Sequence, residues 1–382
     1  MERKLEIKHK QIYKETPNDY YYSPGRVNLL GEHTDYSGGY CLPITINLGI
    51  YASISLREDK DIYVYSDDFK DMGIVKVNKT SIYHKNKSYI NYIKGVISIL
   101  NQHGYQIDTG LNITLMSTLP KSSGLSSSAA LEVLFFKILN HQDKLKLKKT
   151  DIVQLSKKVE NDYIGVSSGI MDQFSIAYGK KDKAILLDTD LLTYEYIPID
   201  LKKYTIVLMN TNKARNLVDS EYNKRFKSIE KAKDFFNQPL GKIGYKTLLS
   251  KKDLLDDLLW KRFKHVVSEN ERTLRAKKAI QDNNYQLFGQ LMNESHQSLK
   301  DDFNVSCDEL DYLVEESIKR GAIGARMTGA GFGGTMLAIY QTKSIPSFKN
   351  LESEYFNKFN FKLDIYIAAG EDGAKHLGGN KS

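Results

Sequence analysis

Residues 111–136 read LNITLMSTLPKSSGLSSSAALEVLFF, and the expected fold follows from the pattern in these residues. Apolar and polar residues alternate over 111–115, which predicts a half-buried strand. A loop over 117–125 leads into a helix that starts near Ser126. Small residues let a backbone approach a ligand closely, and the first turn of a helix presents unpaired N–H groups with positive dipole character. The segment is therefore a candidate cradle for a phosphate group.

The loop in this segment differs from two familiar phosphate-binding motifs. It lacks the Gly-Lys-Ser/Thr of a Walker A loop and the three-glycine spacing of a dinucleotide fingerprint. A second reading stays open on this segment alone, because serine is a common N-cap residue. In that reading the segment is a flexible loop followed by a serine-capped helix.

Length and pattern favour an α+β protein of two domains. The chain has 382 residues, of which 41% are apolar and 27% are charged, and this is ample for two proper cores. Strand and helix patterns alternate without a strict βαβ rhythm. We place the domain boundary near residue 200, which gives domains 1–200 and 201–382.

Composition argues against several classes of protein. Cys41 and Cys307 are too few for a disulfide framework or a zinc cluster, and they fit a reducing compartment. Apolar runs fall short of the roughly 20 residues of a membrane span. Residues 1–6 carry mixed charge where a signal peptide needs an apolar stretch. We expect a cytoplasmic protein without a membrane partner.

The net charge of +8 indicates a basic surface. The lysine clusters are short and acids follow each of them, so we do not expect nucleic acid as a partner. A small phosphorylated ligand benefits more directly from this positive charge.

A polar run between glycines, PGRVNLLGEHTDYSGGY at residues 24–40, is the second chemical feature. Glu32, His33 and Asp35 place donors and acceptors close together, which suits a polyhydroxy ligand. Arg26 offers a permanent charge for a phosphoryl group. A solvated turn and a metal site are the other readings, although this spacing does not place two ligands four residues apart on a helix.

Two carboxylates follow the candidate phosphate cradle. Glu160 lies in a helix that we expect to begin near Asp151, and Asp172 follows among glycine and apolar residues. An acid in such surroundings can act as a general base. A helix cap or a paired structural acid is the more ordinary role for Asp172.

A third glycine run, TGAGFGGT at residues 328–335, precedes a predicted strand. Four glycines in six positions indicate unusual backbone angles or the close approach of a ligand. The other reading is a tight hairpin.

Together these three runs resemble the three motifs of the GHMP small-molecule kinases. Residues 25–36 are similar to the signature of the galactokinase family, and three further segments resemble that family at 170–173, 210–213 and 266–273. The resemblance covers about residues 15 to 380, in the expected order.

The resemblance implies both a fold and a reaction. The N-terminal domain would be like ribosomal protein S5 and the C-terminal domain would be ferredoxin-like, with the active site between them. The reaction would transfer the γ-phosphoryl group of ATP to the C1 hydroxyl of galactose, with Mg²⁺ as the cofactor. We expect the protein to be a monomer.

The resemblance also implies roles for individual residues of this sequence. Asp172 matches the catalytic base, and Arg26 matches the arginine near the reacting oxygen. The sugar-binding matches are Glu32, His33, Thr34, Asp35 and Tyr222. The nucleotide-binding matches are Ser66, Ser122, Ser123, Gly124, Leu125, Ser126, Ser127 and Ser128. The matches to the Mg²⁺ ligands are Ser128 and Glu160.

Two departures from the family pattern are visible. Residues 121–124 read KSSG where the family is often richer in glycine, and Ser37 replaces the more usual asparagine. Competing readings are a kinase of the same superfamily that acts on N-acetylgalactosamine, arabinose or mevalonate, and a sensor that binds ATP and sugar without turnover.

Overall fold

The computed structural model describes residues 1–77, 89–121, 123–213 and 218–379, and within them it contains three sheets and their covering helices. This mixture confirms the α+β prediction. Ser122, predicted for the phosphate loop, lies outside the described residues. In the part of the chain that is described, no helix combines the length and apolar character needed to cross a membrane.

The strands of the described residues follow in chain order. They are β1 (Asp19–Asn28), β2 (Tyr40–Cys41), β3 (Pro43–Arg57), β4 (Ile62–Ser66), β5 (Ile74–Val77), β6 (Gly110–Ser117), β7 (Lys183–Asp188), β8 (Thr193–Pro198), β9 (Tyr204–Asn210), β10 (Gly324–Met327), β11 (Thr335–Gln341), β12 (Asp364–Ala368) and β13 (Lys375–Gly379).

The helices lie before, between and after groups of these strands. They are α1 (Glu2–Tyr13), α2 (Ile90–Gln102), α3 (Ser127–Gln142), α4 (Lys149–Lys158), α5 (Met171–Tyr178), α6 (Val218–Glu230), α7 (Ala232–Phe236), α8 (Tyr245–Leu249), α9 (Asp257–Gln281), α10 (Tyr285–Asp301), α11 (Asp308–Lys319) and α12 (Lys349–Phe359). A π-helical turn, Val159–Ile164, continues α4. Short 3₁₀ helices cover Asp67–Met72, Leu240–Lys242, Lys252–Leu254 and Thr342–Ser344.

The first sheet has the strand order β13-β1-β3-β6-β4-β5. The predicted strand over 111–115 is confirmed as part of β6, but the half-buried exposure is wrong. Asn112 and Thr114, on the polar face, are buried as well. Helix α1 covers this face, and its His9 Nδ1 lies 3.0 Å from the hydroxyl of Thr114. The alternation predicted that the polar face would be exposed to solvent. This face instead forms buried hydrogen bonds with the helix that covers it.

Helix α3 lies in the core beneath the first sheet. It starts at Ser127, one residue after the predicted start, and most of its residues from Ala129 to Leu139 are buried. A helix that is apolar on nearly all sides belongs in a core. Its packing against β1, α2 and α5 fixes the position of its N-terminus, where the candidate phosphate cradle lies.

The remaining sheets have the strand orders β2-β7-β8 and β10-β11-β9-β12, both antiparallel. One hydrophobic core surrounds the first sheet with α2 and α3 and reaches one face of the four-stranded sheet, and a second core covers the other face of the four-stranded sheet. Strand β13, from the end of the chain, returns to pair with β1. The domain boundary near residue 200 stays a prediction.

Helix α10 contacts strand β10 through two glycines. A Cβ added to Gly289 would lie 2.2 Å from the carbonyl oxygen of Ile323, and one added to Gly324 would lie 2.4 Å from the Cα of Gly289. The two backbones touch here, so a side chain fits only if the helix moves away from the sheet.

We expect Gly324→Ala to destabilise the protein by about 1–3 kcal/mol, because overpacking of this size forces backbone shifts. The melting temperature should fall by several degrees in a thermal unfolding experiment. Gly244→Ala is the control, because a Cβ there meets nothing within 4 Å and the backbone φ is −79°. Equal melting temperatures for the two variants would contradict the close helix–strand contact.

Candidate active site

The loop between β6 and α3 holds Ser126 in an unusual backbone conformation. Its φ of 62° and ψ of 44° lie in the left-handed region, and Gly124 has a φ of 79°. The Ser126 side chain does not cap α3; its hydroxyl donates a hydrogen bond to Oδ2 of Asp172. The reading of a serine-capped helix is therefore wrong. The Ser126 side chain therefore leaves the N–H groups in the first turn of α3 uncapped. Such N–H groups can donate hydrogen bonds to a bound anion.

Arg26 and Asp172 form an ion pair through two hydrogen bonds. Nε of Arg26 donates to Oδ1 at 2.7 Å and Nη2 donates to Oδ2 at 2.6 Å. Nη1 donates to the carbonyl oxygen of Gly124 at 2.9 Å. Burial alone would lower the pKa of Arg26, but the Asp172 carboxylate outweighs it and raises this pKa. The Asp172 side chain is 27% exposed, so its carboxylate is reachable from the cavity that it lines.

Glu32 anchors the polar run that follows β1. Its Oε2 accepts a hydrogen bond from Nη2 of Arg326 at 2.8 Å, and its Oε1 accepts one from the backbone N–H of Gly329 at 2.7 Å. Burial raises the pKa of Glu32, although Arg326 and Arg26 oppose this shift. Arg326 and Gly329 come from the far end of the chain, so this carboxylate ties the polar run to the third glycine run.

His33 and Tyr222 form an aromatic wall beside Glu32. The ring centroids lie 5.5 Å apart, and the Phe303 ring centroid lies 4.7 Å from that of His33. Burial lowers the pKa of His33 well below its usual range, so the imidazole is neutral at pH 7. Burial and the nearby Asp35 raise the pKa of Tyr222 well above its usual range. The wall is therefore uncharged, with polar atoms at its edges.

Thr34 holds the shape of the polar run. Its hydroxyl lies 2.8 Å from the carbonyl oxygens of both Gly31 and Tyr40, and Thr34 is fully buried. The side chain is thus engaged within the loop. Its predicted role in sugar binding stays a prediction.

Asp35 presents a second carboxylate near Asp172. Its Oδ2 accepts a hydrogen bond from the backbone N–H of Met171 at 3.4 Å. Burial and the Asp172 charge raise the pKa of Asp35 to about 7. A Cβ added to Gly169 would lie 1.7 Å from Oδ2, so glycine is required for this close approach.

Ser128 and Glu160, the predicted Mg²⁺ ligands, lie side by side. The Ser128 hydroxyl donates to Oε1 of Glu160 at 3.0 Å, and Nε2 of Gln173 donates to Oε2 at 3.0 Å. Burial raises the pKa of Glu160, the Ser168 hydrogen bond lowers it, and the net shift is upward. A hydroxyl and a carboxylate oxygen together at the start of α3 fit a Mg²⁺ ion that also binds phosphate oxygens.

A cavity of about 190 Å³ joins the predicted catalytic and sugar-binding residues. The predicted residues that line it are Arg26, Glu32, His33, Asp35, Glu160, Asp172 and Tyr222. Gly329 and Ala330 of the third glycine run also line it. Residues from both ends of the chain thus meet in one polar cavity.

A second pocket of about 420 Å³ lies at the phosphate loop. Its lining includes the predicted residues Ser66, Ser127 and Ser128. Phe69 and Tyr89 stack at 4.9 Å with an interplanar angle of 19°, and both line this pocket. An aromatic pocket next to the start of a helix suits a ligand with a flat ring and a phosphate chain.

The other predicted residues of the phosphate loop lie in neither pocket lining. Among the described residues these are Ser123, Gly124, Leu125 and Ser126. Gly124 and Ser126 instead bond to the Arg26–Asp172 pair, and Leu125 accepts a hydrogen bond from the backbone N–H of Arg26 at 3.3 Å. Gly124, Leu125 and Ser126 therefore connect the phosphate loop to Arg26 and Asp172.

The third glycine run joins β10 to the antiparallel β11, and it also lines the cavity. The predicted unusual backbone angles are confirmed, since Gly329, Gly331 and Gly333 have φ values of 83°, 85° and 122°. The hairpin reading is also confirmed, because the run connects two antiparallel strands, while the close approach of a ligand stays a prediction. It is a tight strand connection that brings its backbone close to the site.

Sequence reasoning missed two buried residues that support the polar run. Arg326 is fully buried, and its Nη1 donates to the carbonyl oxygen of Asn28 at 2.9 Å. Glu269 accepts the backbone N–H of Gly31 at 2.9 Å. Burial alone would raise the pKa of Glu269, but Arg272 and other nearby cations lower it to about 2. Glu269 lies in segment 266–273, whose resemblance to the family could have identified it. No pattern in the sequence around Arg326 indicated a role for this residue.

Comparison with known proteins gives matches along most of the chain. The model of the galactokinase galactose-binding signature matches residues 7–56. The N-terminal and C-terminal domain models of the GHMP kinases match residues 91–180 and 276–348. A galactokinase of Clostridium perfringens is 44% identical, over 94% of this chain and 96% of the relative. A galactokinase of Enterococcus faecalis is 42% identical, over 99% of this chain and 100% of the relative.

Solved structures agree with these matches. Lactococcus lactis galactokinase complexed with galactose is 40% identical, with a TM-score of 0.94 over 98% of this chain and 99% of that one. Methanococcus jannaschii mevalonate kinase is 21% identical, with a TM-score of 0.63 over 93% of this chain and 99% of that one, and it supports the fold alone. The GHMP kinase fold is thereby confirmed. At more than 40% identity over nearly the whole length of curated relatives, this chain belongs to the galactokinase family.

Proposed function

We propose that the protein transfers the γ-phosphoryl group of ATP to the C1 hydroxyl of galactose and releases galactose 1-phosphate and ADP. One observation carries this proposal. The Arg26–Asp172 pair and the Asp35 and Glu32 carboxylates line a single cavity beside the phosphate loop. Family membership supports the choice of galactose, because the galactose-binding signature covers the polar run.

The cavity supplies the groups that a sugar needs. Asp35 and Tyr222 offer hydrogen-bonding atoms for ring hydroxyls, while the aromatic rings offer an apolar surface for the sugar C–H face. Buried hydrogen-bonding groups discriminate strongly between substrates, since an unmatched group is left unpaired. We therefore assign sugar selection chiefly to Asp35.

Asp172 takes the proton of the C1 hydroxyl in this proposal. The sugar oxygen then forms a bond to the γ-phosphorus, and the bond from that phosphorus to the bridging oxygen of ADP breaks. Arg26 fixes the orientation of the Asp172 carboxylate through two hydrogen bonds and adds positive charge near the moving phosphoryl group. Phosphoryl transfer depends mainly on such positioning and charge stabilisation.

Ser128 and Glu160 would hold Mg²⁺, since their oxygens lie together at the start of α3. The ion, when bound, neutralises charge on the β- and γ-phosphate oxygens. Gln173 keeps the Glu160 carboxylate turned toward Ser128 through its own hydrogen bond. Metal affinity would therefore depend on Gln173 as well as on the two ligands.

ATP would occupy the second pocket, with its base near Phe69 and Tyr89 and its phosphates at the phosphate loop. The N-terminus of α3 stabilises negative charge there. Ser66 would contact the nucleotide from the pocket wall.

We also propose a monomeric, cytoplasmic enzyme with domains 1–200 and 201–382. Cys41 and Cys307 are free, and the Cys41 thiol is buried beside Thr34, which is compatible with a reducing compartment.

The proposed reaction is tested by ADP release with ATP and Mg²⁺ against galactose, N-acetylgalactosamine, glucose, arabinose and mevalonate. We expect kcat/KM for galactose to exceed that for every other member by at least about 100-fold. The Asp172→Asn variant, purified in the same way, is the control for contaminating kinases. A different preferred substrate would overturn the proposed sugar. Binding of galactose and ATP without turnover would overturn the proposed activity.

The role of Asp35 is tested by Asp35→Asn. Its KM for galactose should rise about 10- to 100-fold while its KM for ATP changes less than about twofold, because a carboxylate acceptor is lost at the sugar only. Asp190→Asn, which changes an exposed carboxylate next to Gly38 and outside the lining of the cavity, should leave both constants unchanged. Equal increases in both KM values for Asp35→Asn would contradict the assignment.

The burial of Asp35 is tested by how the melting temperature of Asp35→Asn depends on pH. An acid whose pKa rises from 3.8 to about 7 on folding contributes stability at low pH, and this contribution is lost as the pH rises through that range. The variant should therefore gain melting temperature relative to the natural protein between about pH 4 and pH 7 and hold that gain above pH 7. A constant difference across this range would contradict the burial of Asp35 beside Asp172.

A further inference from the structure

We propose that Asp19, His141 and His376 form a binding site for a divalent transition-metal ion such as Zn²⁺. Each residue offers one ligand atom, and these three atoms lie within 4.8 Å of one another. They come from the start of β1, the last turn of α3 and the edge strand β13. No part of the proposed kinase reaction uses them.

The ligand atoms nearly meet without a metal. Nε2 of His376 lies 2.7 Å from Oδ1 of Asp19, and the rings of His376 and His141 have centroids 4.6 Å apart. Two imidazoles and one carboxylate are the ligand types that Zn²⁺ accepts at 2.0–2.2 Å, with water completing the tetrahedron. Small side-chain rotations therefore suffice to close the three atoms around one ion.

Neighbouring side chains already orient two of the ligands. The Tyr21 hydroxyl lies 2.6 Å from Nδ1 of His141. Its oxygen can accept a hydrogen bond from Nδ1–H when Nε2 of His141 binds the metal. Nε2 of Gln142 donates to Oδ2 of Asp19 at 3.1 Å, which leaves Oδ1 directed at His376. Such outer contacts are what hold metal ligands in place in known sites.

The surroundings set a limit on affinity. Lys137, Lys144 and Lys146 line a pocket of about 430 Å³ next to the two histidines, and their charge opposes a cation. His141 and His376 are exposed, so an ion can enter from solvent. We therefore expect binding in the micromolar range, weaker than in closed structural zinc sites.

The site is remote from the proposed catalytic residues. Helix α3 runs from Ser127, at the phosphate loop, to the turn that carries His141, and 14 residues of helix span about 21 Å. The three ligands instead join β13 to β1 and α3. Zinc would thus stabilise the edge of the first sheet and leave the chemistry of phosphoryl transfer unchanged.

Calorimetric titration with Zn²⁺, without nucleotide or Mg²⁺, tests the proposal. We expect one ion per chain, and at least about tenfold weaker binding for His141→Ala, His376→Ala and the double variant. His103→Ala, which removes an exposed histidine at the end of α2, is the matched control and should bind like the natural protein. Unchanged affinity in the double variant would overturn the proposal, as would the absence of a one-to-one site in the natural protein.

Two further measurements keep this test separate from folding and from kinase activity. The double variant should melt within about 1 °C of the natural protein in EDTA, while Zn²⁺ should raise the melting temperature of the natural protein only. Its kcat with ATP, Mg²⁺ and galactose in zinc-free buffer should stay within about twofold of the natural value. A zinc-induced rise that persists in the double variant would overturn the site.

Discussion

The ion pair between Arg26 and Asp172 is the interaction on which the rest of the site depends. Arg26 is almost fully buried on β1, and Asp172 lies at the start of α5. The same two side chains bond to Gly124 and Ser126, so the phosphate loop takes its shape from the pair. Removing one partner of a buried pair typically costs about 3–5 kcal/mol, because the other charge is left uncompensated. The position of the Asp172 carboxylate, the proposed general base, and the shape of the loop are therefore fixed together.

A second set of buried charges fixes the side of the cavity that we propose for the sugar. Glu32 bonds to Arg326 on β10, and Glu269 on α9 bonds to the backbone of the polar run. These carboxylates satisfy backbone N–H groups that no strand pairing satisfies at this point. Residues 31–35, the proposed sugar-binding run, are thus held by residues that lie more than 230 positions away in the chain.

Local patterns were enough to predict the elements around the phosphate loop, because strand alternation and helix spacing are local properties. They predicted β6 to within two residues and the start of α3 to within one residue. They did not predict the left-handed Ser126, because its conformation depends on Asp172 in another helix. The covered second face of β6 was missed for the same reason, since α1 lies about 100 residues earlier. Arg326 carried no local signal, and the domain boundary and the individual site roles stay predictions.

We propose that Arg26 and Asp172 act as one unit in phosphoryl transfer. The most direct test is the kcat with galactose for Asp172→Asn, Arg26→Met and the double variant, each confirmed as folded. Loss of a general base typically costs about 10²–10⁴-fold in rate. If the pair acts as a unit, the double variant should lose little more than the more damaging single variant. Losses that multiply, or a near-natural kcat for Asp172→Asn, would contradict the account.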